Sequence, residues 1–395
     1  MLERIVDSSM VKRIAGLEMN ALLYSKVLPT DVFQRARVVS AGTPIYDISG
    51  DVLFYRVPII KGRTLIGYTD IAANSAFSHP LLGVSYGWAW DEKSLLGQAI
   101  SVARKQRKGI RFNQIRFVAY SYPKLAVQFL LNKTEVMMIE WASWKPVPEK
   151  RPRKLEEPVS NFERWSLIEE TPQARHKENL KKLKERISHW EDICPPLHGP
   201  NRFRPEVLDV MKFKEFIRPI DIETETRELH YSQDDSDHFP CYELRGQLTN
   251  VWCVAASVQM ILDFYRYNYQ QTRIASDLGL GTLTNPNGLP YSQDNNVVTV
   301  LENLTSNALT ANMNTSPNWS EFVNEIGENR PLISFIPGHS RTVAGYAFTK
   351  LWKWYFFRSL LVYDPWPPTT GVITRWENFD TQIYRRTFTA QLTLV

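Results

Sequence analysis

Apolar positions from Met10 to Leu28 recur at helical spacing and predict a first helix. From Pro44 to Ile71 they alternate instead, with breaks at Ser49-Gly50-Asp51 and Lys61-Gly62-Arg63, which predicts a three-stranded meander. A second helix is predicted behind an Asp91 N-cap, carrying Leu95, Leu96, Ala99, Val102 and Ala103 on one side as far as Arg107. Strands are expected over Ile115 to Tyr122, Leu125 to Leu131 and Val136 to Trp141. Helix followed by meander thus occurs twice before residue 145, the plan of two α+β units, although the halves share no visible residue identity.

The pattern breaks between Lys145 and Pro158, where Pro146, Pro148, Pro152 and Pro158 alternate with charge; such a stretch neither continues a helix nor buries a core. Gln173 to Trp190 returns to helical spacing through Leu180, Leu183, Ile187 and Trp190, and its Lys181-Lys182-Leu183-Lys184 run reads as a solvated face. Cys194 to Phe239, with Pro195-Pro196 and the acids Asp234, Asp235 and Asp237, reads as an extended connector. Trp252 to Asn268 is apolar nearly all round, the mark of a helix buried inside a domain. Helices around Val297 to Leu304 and Trp319 to Ile326 are followed by strands over Leu332 to Ile336, Thr342 to Phe348, Ser359 to Tyr363, Val372 to Arg375 and Thr387 to Val395. The expected fold class is α+β: residues 1–145 as an α+β module, 146–235 as a Pro-rich and helical connector, and 236–395 as a domain with helices first and antiparallel strands after.

Composition narrows the function classes. With 395 residues, 43% hydrophobic, 12% aromatic and 23% charged, the chain is neither disordered nor fibrous, and its net charge of +5 is too diffuse for a nucleic-acid footprint. Three cysteines exclude a disulfide-dense scaffold and a four-cysteine zinc site; Cys194 and Cys241 are left as unpaired thiols unless export lets them bridge. His176, His189, His198, His230 and His238 show no metal-ligand spacing with them, and there is no Gly-rich phosphate loop, so no metal or cofactor is expected. Trp352, Trp354, Tyr355 and Phe356 beside Lys353 and Arg358 read as a cleft rim or core and not as a stacking surface for bases. No apolar run approaches the roughly 18 residues of a membrane helix. Glu3, Arg4, Asp7, Lys12 and Arg13 stand where a signal peptide would be apolar, which leaves localisation open between an intracellular protein and one whose signal has been removed.

The candidate chemistry lies in Gln247-Leu-Thr-Asn-Val-Trp252-Cys253-Val-Ala-Ala-Ser257, where a cysteine stands at the point at which irregular chain becomes a buried helix. Unpaired N–H groups at a helix start favour a thiolate there. Downstream, His339 follows Pro337-Gly338 at the start of a strand, and Asp364 ends a strand before Pro365, both at positions that can face a cleft.

These residues resemble those of papain-like cysteine peptidases, nearest the kind that processes bacteriocin leaders. The resemblance covers residues 236–395 and is carried by a Gln six positions before the Cys, Trp-Cys leading into an Ala/Ser-rich helix, Gly-His followed by a strand with Ala344-Gly345-Tyr346, and a strand ending Tyr363-Asp364-Pro365. It implies Cys253 as nucleophile, His339 as general base, Asp364 as the residue orienting the imidazole and Gln247 as oxyanion donor, acting on a peptide or protein substrate. The stretch from Lys350 to Arg358 stands out as an aromatic and basic insertion between His339 and Asp364. A non-catalytic binding module on the same fold, or acyl transfer or deamidation by the same Cys-His pair, stays open. The stretch from Pro44 to Pro58, with Gly62, Gly67 and Pro80-Leu-Leu-Gly83, is similar to PepSY-like or cystatin-like pro-domains. That similarity implies a precursor in which the N-terminal module acts as an intramolecular inhibitor, relieved by cleavage between Cys194 and Phe239.

Overall fold

The computed structural model describes residues 8–86, 90–148, 150–151, 154–193, 203–217, 222–229, 242–351 and 354–393. The chain opens with α1 (Ser8–Tyr24) and α2 (Thr30–Phe33), then β1 (Arg37–Val38), β2 (Thr43–Asp47), β3 (Val52–Lys61), β4 (Thr64–Ala72) and β5 (Leu81–Tyr86). The second unit is α3 (Glu92–Gln106) with β6 (Gln114–Ser121), β7 (Lys124–Leu131) and β8 (Thr134–Glu140). The predicted Asp91 cap is present, its Oδ1 accepting from the Ser94 amide at 3.2 Å. Both predicted turns fall between β2, β3 and β4, at Gly50 and Gly62, which adopt φ of 103° and 64° that side-chain-bearing residues rarely take.

The middle of the chain holds α4 (Leu167–Glu170), α5 (Gln173–Ile193), α6 (Val210–Phe216) and β9 (Ile222–Glu228). The described part of the connector is therefore not simply extended. β9 pairs antiparallel with a strand of the C-terminal region, from Gly345 opposite Glu228 to Leu351 opposite Ile222. Its sequence, Ile-Glu-Thr-Glu-Thr-Arg-Glu, carries charge at most positions, as edge strands do, and so lacks the apolar alternation that marks a strand. Residues 194–202 and 230–241, with Cys194, Cys241 and the acidic cluster, lie outside the described residues.

The remainder is α7 (Cys253–Phe264), α8 (Gln271–Asp277), α9 (Asn296–Leu304), β10 (Leu309–Asn314), α10 (Trp319–Gly327), β11 (Leu332–Ile336), β12 (His339–Leu351), β13 (Trp354–Asp364), β14 (Val372–Asn378) and β15 (Arg386–Leu392). The described part of the stretch that reads as an insertion before Arg358 extends the pairing of β12 with β13, Thr349 with Phe357, Lys350 with Tyr355 and Leu351 with Trp354; Trp352 and Lys353 lie outside the described residues.

The fold is mixed α+β around one sheet, ordered β10-β15-β11-β12-β13-β14-β5-β4-β3-β2-β6-β7-β8, with β1 beside β3 and β9 beside β12. Among the described pairings only β2 with β6 is parallel. The N-terminal and C-terminal halves join where Glu377 of β14 stands opposite Gly83 of β5. Helix α1 covers this region: Val11, Leu22, Val57 and Val84 belong to the same apolar cluster as Met260, Phe322, Tyr346 and Leu361. Buried Glu18 of α1 accepts from Arg186 at 3.2 and 3.1 Å and from the Trp190 indole at 2.8 Å, fixing α5 to α1. No described helix is long and apolar enough to cross a membrane.

Candidate active site

Helix α7 is buried from Cys253 to Asp263, as its all-round apolarity predicts. Trp252, just before it, is fully buried and donates its indole N–H to the Leu280 carbonyl at 3.0 Å, which sets where the helix starts. Cys253 opens the first turn and is 6% exposed. One turn further on, Ser257 Oγ accepts from Ser340 Oγ at 2.8 Å, and Thr342 Oγ1 contacts the Met260 sulfur at 3.6 Å. These contacts lay the start of β12 along α7 and bring His339 and Cys253 into the lining of one small cavity.

His339 Nε2 donates to Asp364 Oδ1 at 2.6 Å, and the same oxygen accepts from the Trp366 amide at 2.8 Å. The strand end at Asp364 and the turn after it thus fix one carboxylate lobe on the ring. Gln247 is fully buried, and its backbone is tied to that turn: its N–H donates to Pro365 O at 3.0 Å and its carbonyl accepts from Thr369 N at 2.8 Å. Gly246 permits this approach, since a Cβ there would come within 2.3 Å of the Thr369 backbone. Gln271 braces the loop, donating to Gly246 O at 2.9 Å and accepting from Leu248 N at 3.0 Å. The Gln247 side chain donates to Thr249 O at 2.6 Å. All four sequence-predicted residues therefore lie in one neighbourhood.

Three further residues reach it that the motif pattern did not single out. Asn161, 1% exposed, accepts from His339 Nδ1 at 3.0 Å and donates to Gln247 Oε1 at 3.1 Å. Lys124 of β7 points Nζ at the Gly338 carbonyl, 3.4 Å away. Tyr291 OH accepts from the Gly338 amide at 3.0 Å and donates to Glu163 at 2.9 Å, holding the residue before His339. A lone Asn just past a Pro-rich stretch and a lone Lys in a hairpin carry no sequence signal; only the tertiary packing brings them here.

The charges are set by burial and pairing. Burial pushes the His339 imidazole down, but the Asp364 carboxylate overcomes it by charge and hydrogen bond, so its pKa lies above the ordinary value. Burial raises Asp364, and the opposing fields of His339 and Arg341 bring it below the ordinary carboxylate value. Burial pulls Lys124 down to about 8 against the attraction of Glu163, Cys253, Asp364 and Glu140. With acceptors opposite both ring nitrogens, His339 has hydrogen-bond partners suited to the imidazolium form.

The His339–Asp364 pair has a pH signature. A raised histidine contributes stability that is complete below 6.5 and lost as pH rises through its folded pKa. A depressed aspartate contributes stability present above 3.8 and lost as pH falls through its folded pKa. The gap in unfolding free energy between the native chain and Asp364→Asn, read by urea unfolding, is therefore expected to be widest between pH 4 and 6.5, at about 1.5–3 kcal/mol for a charged hydrogen bond. It should narrow at pH 9; a gap independent of pH would show that the pair is not ionic.

Residues 236–390 match the family model described as "Peptidase_C39 like family". Among solved structures, a double glycine motif protease from an AMS/PCAT transporter, determined in complex with its leader peptide, is similar at 19% identity and a TM-score of 0.27. The match covers 38% of this chain and 91% of that one. UfSP from C. elegans is similar at 13% identity and a TM-score of 0.25, over 60% of this chain and 50% of that one. No curated protein matches. At the level of family, residues 236–390 are similar to C39-like peptidases.

Proposed function

We propose that this chain is a cysteine peptidase in which Cys253, His339, Asp364 and Gln247 act together, and that the full chain is a low-activity precursor. The observation that carries the reading is the ordered contact of His339 with Asp364 on one ring nitrogen while the ring and Cys253, at the start of a buried helix, line the same small cavity. In the reaction, His339 Nδ1 takes the Cys253 proton and the thiolate attacks the peptide carbonyl carbon, whose oxygen becomes the oxyanion. Gln247 Nε2, released from Thr249 O, donates to that oxygen. As the C–N bond breaks, His339 gives its proton to the leaving amine, and a thioester remains on Cys253. Water then adds to the thioester, losing its proton to His339, which returns it to the departing thiolate. A peptide substrate accords with the matched family's description.

Products read by mass spectrometry from a peptide library test this. New termini are expected with the native chain or an activated form of it, and none with Cys253→Ala. Ammonia or new isopeptide bonds in place of new termini would make it a deamidase or acyl transferase, and identical inertness of both chains under every activating condition would make it a binding module.

A further inference from the structure

The cleft beside Cys253 is already filled by a stretch of the same chain. Leu155 O accepts from Ser292 N at 3.0 Å. Four residues on, Val159 lies so close to Gly288 that a Cβ there would come within 1.6 Å of the Val159 carbonyl oxygen. The stretch then crosses the catalytic residues, where the Asn161 amide joins His339 Nδ1 to Gln247 Oε1, and Phe162 packs edge-on against Trp366 at 5.8 Å beyond Asp364. What remains among Val159, Asn161, Val251, Cys253, Leu289 and His339 is about 20 Å³, room for a single water.

From this track we infer that residues 155–163 are a substrate-like plug, lying where an extended peptide would have to lie, with Asn161 occupying His339 Nδ1 and holding the Gln247 side chain through its Oε1. The inference rests on reading the site as a peptidase cleft. The exit of the plug is anchored in the N-terminal half: Tyr120 OH donates to Asn161 O at 2.9 Å, Trp165 N donates to Tyr120 O at 2.9 Å, and Leu167 N donates to Asp47 Oδ1 at 3.0 Å. Its entrance is open, with Leu155 59% exposed. This arrangement relocates the brake. Departure of residues 1–145 would tear an apolar cluster that runs through both halves, whereas withdrawing about nine residues uncovers Cys253 and leaves that cluster whole.

The test uses the full chain, two variants, and the rate at which iodoacetamide labels Cys253 at pH 7. Asn161→Ala removes the two side-chain hydrogen bonds that tie the plug to His339 and Gln247, and should label about tenfold faster or more. Gly288→Ala places a methyl where Val159 O lies and should also speed labelling, without a matching gain in peptide turnover, because it narrows the same track. A synthetic peptide spanning residues 154–165, added to Asn161→Ala, should slow labelling again. Labelling of both variants at the native rate, with unchanged melting temperatures, would overturn the plug; slower labelling of Asn161→Ala would do the same by making Asn161 a positioning residue for His339. Faster labelling with no peptide cut by any variant would keep the plug and remove the peptidase reading. Native-rate labelling in all chains alongside brisk Cys253-dependent cleavage would remove the plug and keep the peptidase.

Discussion

In a chain whose cleft has been opened, His339→Ala is expected to lower kcat by about 10⁴ or more, and Gln247→Ala by about 10²–10³. The difference in size follows from what each residue does. Removing the imidazole takes away both the acceptor for the thiol proton and the donor to the leaving amine, so two proton transfers fail at once. Removing the Gln247 amide takes away one donor to the oxyanion and leaves both proton transfers in place. KM should change little for Gln247→Ala, since the donor acts on charge that exists only in the transition state. Steady-state kinetics on one peptide, with circular dichroism showing that both variants stay folded, checks this. Undiminished kcat in Gln247→Ala would mean that the six-residue spacing to Cys253 has no catalytic meaning, and undiminished kcat in His339→Ala would end the Cys-His mechanism.

Glu377→Ala is expected to be the most destabilising single polar change, at about 3–5 kcal/mol. Arg341 donates Nη1 to Glu377 Oε2 at 2.5 Å and Nη2 to Oε1 at 2.9 Å, and the two side chains are only 1% and 5% exposed. Deleting the carboxylate strands a guanidinium in the core at the place where Glu377 meets Gly83 and the two halves of the sheet join. Replacing both partners, as Arg341→Met with Glu377→Leu, should recover most of the loss, because no charge is then left buried alone. Urea unfolding gives the measurement. Because one apolar cluster runs through both halves, the native chain should unfold in one transition; two separate transitions, or a loss below about 1 kcal/mol for Glu377→Ala, would show that this junction carries little.

The elements with strong periodicity were legible in the sequence. Helices α3, α7, α9 and α10 and the meander β2–β4 lie where their apolar spacing and turn glycines put them, because each buries one face or the whole surface and the apolar spacing that does so is written in its own residues. Strands β9 and β10 were not legible. β9 is charged along most of its length, and β10, Leu-Thr-Ala-Asn-Met-Asn, offers short polar side chains; both are specified by pairing with strands far away in sequence.

The site divides the same way. Local sequence determined that Cys253 begins a buried helix, that His339 begins a strand and that Asp364 ends one, since caps, glycines and hydrophobic runs act over a few residues. Only the tertiary structure decided that Lys124 and Asn161 stand beside them, 129 and 92 positions before Cys253. Their placement follows from the joining of β14 to β5 and from the way the chain just past the Pro-rich stretch lies across the site. Charge, burial and hydrogen bonding at a site depend on whichever groups the packed chain brings within a few ångströms, and chain distance carries no information about those.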